Sequence, residues 1–244
     1  MRIPILCILC AATLFEQSKA EEFDIVVYGG TSGGVSAAVQ AARMGKHVVL
    51  VEPGRHLGGM TSGGLSAVDI GDPRSVGGIA REYFTWLVAH YGKELNWGEA
   101  FESHGRGGPA TGGAYSIEPH VAETVFDKMA SEAGVVVLRE ARLKSVTKDG
   151  ARIKTLLFED GRSVRGKMFI DTTYEGDLMA EAGVRYTVTR EGNAKYGESY
   201  NGIFYTPQYQ PRTGHLEPGA NGRVKGGQGA WDRDFPLDPY VVKG

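Results

Sequence analysis

Cysteine is almost missing: the 244-residue chain has two, Cys7 and Cys10, both within its first ten residues. The first twenty residues read as a secretory leader. Arg2 is the early positive charge, Ile3 to Phe15 is an apolar run, and Ser18-Lys19-Ala20 offers small residues for cleavage. The run is too short for a membrane span of about 20 residues, and no later stretch qualifies. A buried N-terminal helix is the other reading of this run. With the leader removed, no cysteine is left. That excludes disulfides, thiolate-ligated iron–sulfur clusters, zinc–thiolate sites and a redox dithiol, so any redox chemistry needs a bound cofactor. Charge of one sign is missing too. The formal net charge is −2, and losing Arg2, Lys19 and Glu16 takes it to −3, which leaves no electrostatic footprint for nucleic acid. Six histidines (His47, His56, His90, His104, His120, His215) show no metal-ligand spacing, and no metal site is expected.

Glycine is abundant, at 36 of 244 residues, roughly twice the usual share of about 7%. No Gly-X-Y period accompanies it, so glycine-lined loops are expected. With 41% hydrophobic and 23% charged residues the chain is globular, long enough for one large domain or two small ones. Phe23 to Tyr28 reads as a buried strand. Gly29-Gly30-Thr31-Ser32-Gly33-Gly34 follows at once, then an Ala-rich helix from Val35 to Met44 ended by Gly45. A second strand, His47 to Val51, closes at Glu52 and Pro53. This is a βαβ unit with parallel strands. Residues 54 to 72 read as loop, Ser75 to Tyr91 as a helix, 92 to 115 as irregular, and Pro119 to Ala133 as a helix with Pro in its first turn. Four short strands are expected next: Val135–Leu138, Leu143–Lys148, Ile153–Phe158 and Ser163–Lys167. Asp149-Gly150 and Asp160-Gly161 mark hairpin turns, so these read as an antiparallel meander. Met168 to Ile170 then returns to the parallel sheet. From 186 to 244 the sequence shows little periodicity.

The glycine turn suits a dinucleotide. Gly29 supplies the tight turn, Gly34 the close helix–strand packing, and the helix N-terminus faces a pyrophosphate. Thr31 stands where glycine is usual, which works only if its side chain turns away from the phosphate. Glu52, 23 residues after Gly29, is placed to hold the adenosine ribose hydroxyls and disfavours a 2′-phosphate. NAD and FAD stay open on these residues, and a solvated strand end stays open for Glu52.

The run DIVVYGGTSGGVSAAVQAARMGKHVVLVEPGRHLGGMTSGG, Asp24 to Gly64, resembles the N-terminal FAD-binding region of flavoproteins with the glutathione-reductase-like fold. More narrowly, it is similar to bacterial FAD-dependent oxidoreductases related to the flavoprotein subunit of heterodisulfide reductase. In that family a Gly-Gly-Thr turn occurs, in keeping with Gly29-Gly30-Thr31, and His56-Leu57-Gly58-Gly59-Met60 matches a stretch whose amides lie along the pyrophosphate and ribityl chain. Phe169-Ile170-Asp171-Thr172-Thr173-Tyr174-Glu175-Gly176-Asp177-Leu178 resembles the family's second FAD motif, with Thr172 where Ala is commoner.

The resemblance implies an α/β fold: a Rossmann-like parallel sheet with an antiparallel β-meander crossover forms an FAD-binding domain at 21–185. A partial substrate or cap segment follows at 186–244. It implies FAD as cofactor, with Gly29, Gly30, Thr31, Gly33, Gly34, Glu52, Pro53, His56, Gly58, Gly59, Met60, Leu143, Asp171, Thr172, Thr173, Gly176 and Asp177 as its binding residues. The backbone near Leu143 would flank the adenine. Asp171 and Asp177 remain open between cofactor contact and helix capping. His56 remains open between cofactor contact and a structural place in its loop. Thr189-Arg190-Glu191 and Tyr196-Gly197-Glu198-Ser199 also resemble the family's pattern. There Arg190 either binds an anionic substrate or pairs with Glu191 or Glu198. The family's chains are longer, so the resemblance implies a C-terminally truncated chain completed by a missing half or a partner subunit. The iron–sulfur clusters of some relatives do not carry over to a mature chain that has lost Cys7 and Cys10 with its leader.

The expected function is an exported (periplasmic or extracellular) oxidoreductase moving a hydride between a small organic substrate and flavin. No catalytic residue is assigned. An NAD-binding dehydrogenase, which would not account for Ile170 to Asp177, and a non-catalytic remnant or binding subunit are the alternatives.

Overall fold

Strand β1 (Glu22–Tyr28) forms where the β-branched run predicts it, and Val26 and Val27 are fully buried. Helix α1 (Ser32–Arg43) follows the glycine turn. Its buried residues Val35, Ala38 and Val39 recur at helical spacing and face the sheet. Strand β2 (Val48–Val51), buried at every residue, pairs parallel to β1 from Ile25↔Val48 to Tyr28↔Val51. The computed structural model describes residues 22–65, 75–95, 97, 117–186, 195–197, 215–216 and 224–225. The leader expected at 1–20 with Cys7 and Cys10, loop residues 66–74, most of the stretch 92–115, Arg190 with its neighbours, and most of the segment from 187 on lie outside them.

Helices α2 (Gly78–His90) and α3 (Pro119–Glu132) lead to β3 (Val136–Leu138), then come β4 (Leu143–Asp149), β5 (Arg152–Phe158), β6 (Ser163–Asp171) and the short α4 (Asp177–Glu181). The six strands form one sheet in the order β3-β2-β1-β6-β5-β4. Two expectations are corrected here. The run at 135–138 is not the first strand of the meander: β3 is the parallel edge of the sheet, paired with β2 from Val49↔Val136 to Val51↔Leu138. A short apolar run does not encode its direction. The connection does, and α3 brings the chain back parallel, whereas the Asp-Gly turns reverse it. The expected strands 163–167 and 168–170 are one strand, β6. Its start bonds β5 antiparallel from Leu157↔Ser163 to Thr155↔Arg165, and it runs parallel to β1 from Glu22↔Arg165 to Tyr28↔Asp171. The meander β4-β5-β6 is thereby fused to the parallel sheet through β6. Lys167 interrupts the apolar pattern because it reaches Asp24 on β1, 2.7 Å away.

Alternation along the strands feeds two cores. On one face Val27, Val48 and Leu50 pack with Val35 and Val39 of α1, Leu87 of α2 and Phe126 and Met129 of α3. On the other, Val26, Tyr28, Val49 and Val51 pack with Leu156, Phe158, Val164 and Leu178. The result is the mixed α/β, Rossmann-like arrangement, with helices on one face and the meander with α4 on the other.

The chain divides into two compact units, residues 1–184 and 185–244. The described part of the second includes a hairpin of β7 (His215–Leu216) and β8 (Val224–Lys225). Among the described residues no helix is long and apolar enough to cross a membrane.

Candidate functional site

Three chain segments meet at the carboxyl end of β1: the glycine turn, the loop after β2, and the turn after β6. Thr31 is the N-cap of α1, and its hydroxyl accepts from the Gly34 amide at 3.1 Å. The same hydroxyl donates to the Thr172 carbonyl at 3.0 Å. Thr172 replies from the other side, its amide donating to the Tyr28 carbonyl at 2.8 Å and its hydroxyl to the Gly29 carbonyl at 2.6 Å. The Thr31 hydroxyl therefore both caps the first turn of α1 and ties it to the turn after β6. Gly34 admits no side chain, because a Cβ there would stand 1.9 Å from the Gly29 carbonyl oxygen. The loop after β2 joins through the Gly58 amide, which donates to the Gly30 carbonyl at 2.7 Å. The Met60 amide donates to the Tyr174 hydroxyl at 2.7 Å. Gly29, Gly30, Thr31, Gly34, Gly58, Gly59, Met60 and Thr172 are thus brought together from two motifs about 140 residues apart in the chain. Gly33 lies on the exposed side of the first turn, where an added Cβ would meet only the Thr31 hydroxyl, at 3.7 Å.

Glu52 ends β2 beneath the turn. Its carboxylate accepts from the Gly30 amide at 2.7 Å and from the Gly54 amide at 2.5 Å. Two amide donors leave acceptor capacity on a carboxylate with about four lone-pair sites. Beside it opens a cavity of about 620 Å³ lined by Tyr28, Pro53, Gly54, Arg142, Leu143 and Asp177, among others. Of these, Pro53, Leu143 and Asp177 were expected from sequence, whereas Tyr28 and Arg142 were not. The Tyr28 hydroxyl accepts from the Leu143 amide at 2.8 Å, and burial pushes its phenol above the usual tyrosine range. A phenol directly after the aliphatic run Ile25-Val26-Val27 and just before a glycine turn was the signal available for it.

The remaining expected residues do other work. Asp171 accepts from the Thr173 amide and hydroxyl at 3.0 and 2.8 Å and from the Met179 amide at 2.7 Å. The Thr173 hydroxyl accepts in turn from the Gly176 and Asp177 amides at 2.9 and 3.0 Å. Their side chains organise the turn into α4, as capping predicts. His56 turns from the junction to Glu123 on α3, with Nδ1 2.8 Å from its carboxylate. The other oxygen of Glu123 accepts from the Leu57 amide at 3.2 Å. Glu123 was not singled out in the sequence, because nothing local ties α3 to this loop. Among the described residues no group of three or more His, Cys, Asp and Glu stands together as a metal site.

The chemistry of this donor set fits an adenine dinucleotide. The twelve-residue α1 carries no acidic residue in its first turn, so the positive end of its dipole is left for an anion. Glu52, bonded to the Gly30 amide just before that helix, offers a hydroxyl acceptor, and the cavity beside it lies within the usual range for small-molecule sites, about 300–1,000 Å³.

Comparison with known proteins agrees. The profile of the family described as FAD dependent oxidoreductase matches residues 24–236. A segment of 54 residues, 21% of this chain, is 46% identical to the vinyl phenol reductase of Lactiplantibacillus plantarum, covering 11% of that protein. A segment of 39 residues, 16% of this chain, is 54% identical to the soluble pyridine nucleotide transhydrogenase of Mycobacterium bovis, covering 8% of it. The chain therefore spans about a tenth of these relatives. Among solved structures it is similar to the L-proline dehydrogenase from P. horikoshii, at 19% identity and a TM-score of 0.47, over 70% of this chain and 59% of that one. It is also similar to the L-amino acid deaminase from Proteus vulgaris, at 15% identity and a TM-score of 0.47, over 69% and 52% of the two chains. With its profile matched from residue 24 to residue 236, the chain belongs to the FAD-dependent oxidoreductase family, whose cofactor is FAD.

Proposed function

We propose that this chain holds FAD for an exported oxidoreductase, related to the flavoprotein subunit of heterodisulfide reductase, that moves a hydride between a small organic substrate and flavin. The observation that carries the reading is the junction of the two motifs, locked by Thr31 and Thr172 at the carboxyl ends of β1 and β6. Bound FAD supplies the hydride chemistry, and the protein's part is to bind, orient and shield it. The first turn of α1 receives the pyrophosphate, Glu52 accepts from the ribose hydroxyls, and Pro53 and Leu143 flank the adenine. The backbone of Gly59 and Met60 follows the chain toward the flavin. A further segment or a partner subunit completes the site around the flavin ring. Export rests on Arg2, the apolar run Ile3 to Phe15 and the small residues before Glu21.

Thermal unfolding with added nucleotides tests the cofactor. Saturating FAD raises the midpoint by mass action, and NAD leaves it unchanged. A rise with NAD and none with FAD makes the chain an NAD-binding dehydrogenase instead. N-terminal sequencing of protein recovered outside the cytoplasm tests export. A mature start at Glu21 supports it, and a cytoplasmic chain retaining Met1 contradicts it.

A further inference from the structure

Tyr174 sits inside the second motif, yet its phenol leaves that segment and reaches the loop after β2. Its hydroxyl accepts from the Met60 amide at 2.7 Å. The approach is so close that a Cβ on Gly59 would stand 2.2 Å from the hydroxyl oxygen and 3.3 Å from the Cα of Thr31. Gly59 also adopts φ +55°, so both the space and the backbone require glycine there. The Tyr174 hydroxyl is thus held beside the residue that opens the phosphate-binding helix. A phenol that accepts one hydrogen bond still has its own proton to donate, and no described residue takes that proton. Tyr174 as a whole is 55% exposed.

We infer that Tyr174 is a further cofactor-binding residue, whose hydroxyl, oriented by the Met60 amide, donates to a pyrophosphate oxygen of the adenine dinucleotide. The inference rests on the reading of this junction as an FAD site. It gives the second motif a ligand contact that Asp171 and Thr173, engaged in their own turn, do not make with their side chains. Glu175 and Asp177 stand close in the chain and are acidic, so the donor also offsets the repulsion an anion meets there.

The test compares the full wild-type chain with Tyr174→Phe, using FAD, ADP and adenosine as probes. Removing a hydrogen bond to a charged oxygen weakens FAD and ADP binding about tenfold. Adenosine, which lacks the pyrophosphate, binds both proteins equally. The exposed position makes the substitution mild, so the unfolding midpoint without nucleotide stays at the wild-type value. Unchanged FAD and ADP affinity overturns the inference. So does an equal loss for all three probes, which marks Tyr174 as a loop support alone. A wild-type chain that binds none of the probes refutes the FAD site itself, and the inference with it.

Discussion

Thr31 donates its hydroxyl proton to the Thr172 carbonyl at 3.0 Å while accepting from the Gly34 amide at 3.1 Å. One side chain therefore caps α1 and fastens it to a turn 141 residues later in the chain. Replacing it by the isosteric Thr31→Val removes both bonds and leaves the shape. Loss of an N-cap costs about 1–2 kcal/mol, and Thr31→Ser recovers most of it because the hydroxyl returns. Urea unfolding of the three proteins checks this. Equal stability of Thr31→Val and wild type would show that the hydroxyl ties nothing.

Adjacent glycines are expected to behave in opposite ways. Gly34→Ala drives a methyl to 1.9 Å from a backbone oxygen in the tight turn, where neither partner yields. It loses about 3 kcal/mol or more. Gly33→Ala meets only the Thr31 hydroxyl at 3.7 Å, and alanine is the better helix former by about 0.8–1 kcal/mol. Thermal midpoints of the two variants therefore move in opposite directions from wild type, and a parallel shift contradicts the packing of α1 on β1.

Arg43 at the end of α1 binds Glu82 of α2 through two parallel bonds of 2.7 Å. That hydrogen bond, ahead of the cost of burial, holds the Glu82 carboxyl below its ordinary range. A depressed carboxyl contributes stability in full above its unfolded value, about 4.3, and loses it as pH falls through the lower folded value. With both side chains partly exposed the contribution is modest, about 0.5–1 kcal/mol. Glu82→Gln is therefore less stable than wild type at pH 7, and the gap closes under strong acid. A gap independent of pH would point to packing rather than charge.

Tyr83 is buried and stacks on Phe126 with ring centroids 4.4 Å apart, and among the described residues its hydroxyl has no hydrogen-bond partner. Burial pushes its phenol far above the usual tyrosine range. Tyr83→Phe keeps the stack and removes the unpaired group, so stability at pH 7 rises by up to about 1 kcal/mol. A raised phenol contributes fully below the unfolded value of about 10 and loses stability as pH climbs beyond it. The variant is accordingly the more resistant to alkaline unfolding. A loss of stability at neutral pH would reveal a partner for the hydroxyl.

The βαβ unit was legible because each signal was local: a β-branched run, a glycine turn, an Ala-rich helix and a second buried run. The Asp-Gly turns marked the meander equally well. The direction of β3 and the continuity of β6 were not legible, because both depend on which strand lies alongside. For β6 that neighbour also explains Lys167, whose partner Asp24 is on β1. At the site, the residues of each motif could be read, but what joins the motifs could not. The tie from Thr31 to Thr172, the place of Tyr28 against Leu143 and the bond from Met60 to Tyr174 all link distant segments. The reach of His56 to Glu123 on α3 belongs with them. Asp171 shows the converse, since its capping geometry was one of the two local readings.

The most direct test of the account is an absorption spectrum of the purified chain after FAD addition and gel filtration. The account predicts that flavin bands in the visible travel with the protein, and that Glu52→Ala, which loses the ribose acceptor, retains less flavin. A wild-type chain that emerges colourless at saturating FAD would contradict the claim that this junction holds the cofactor.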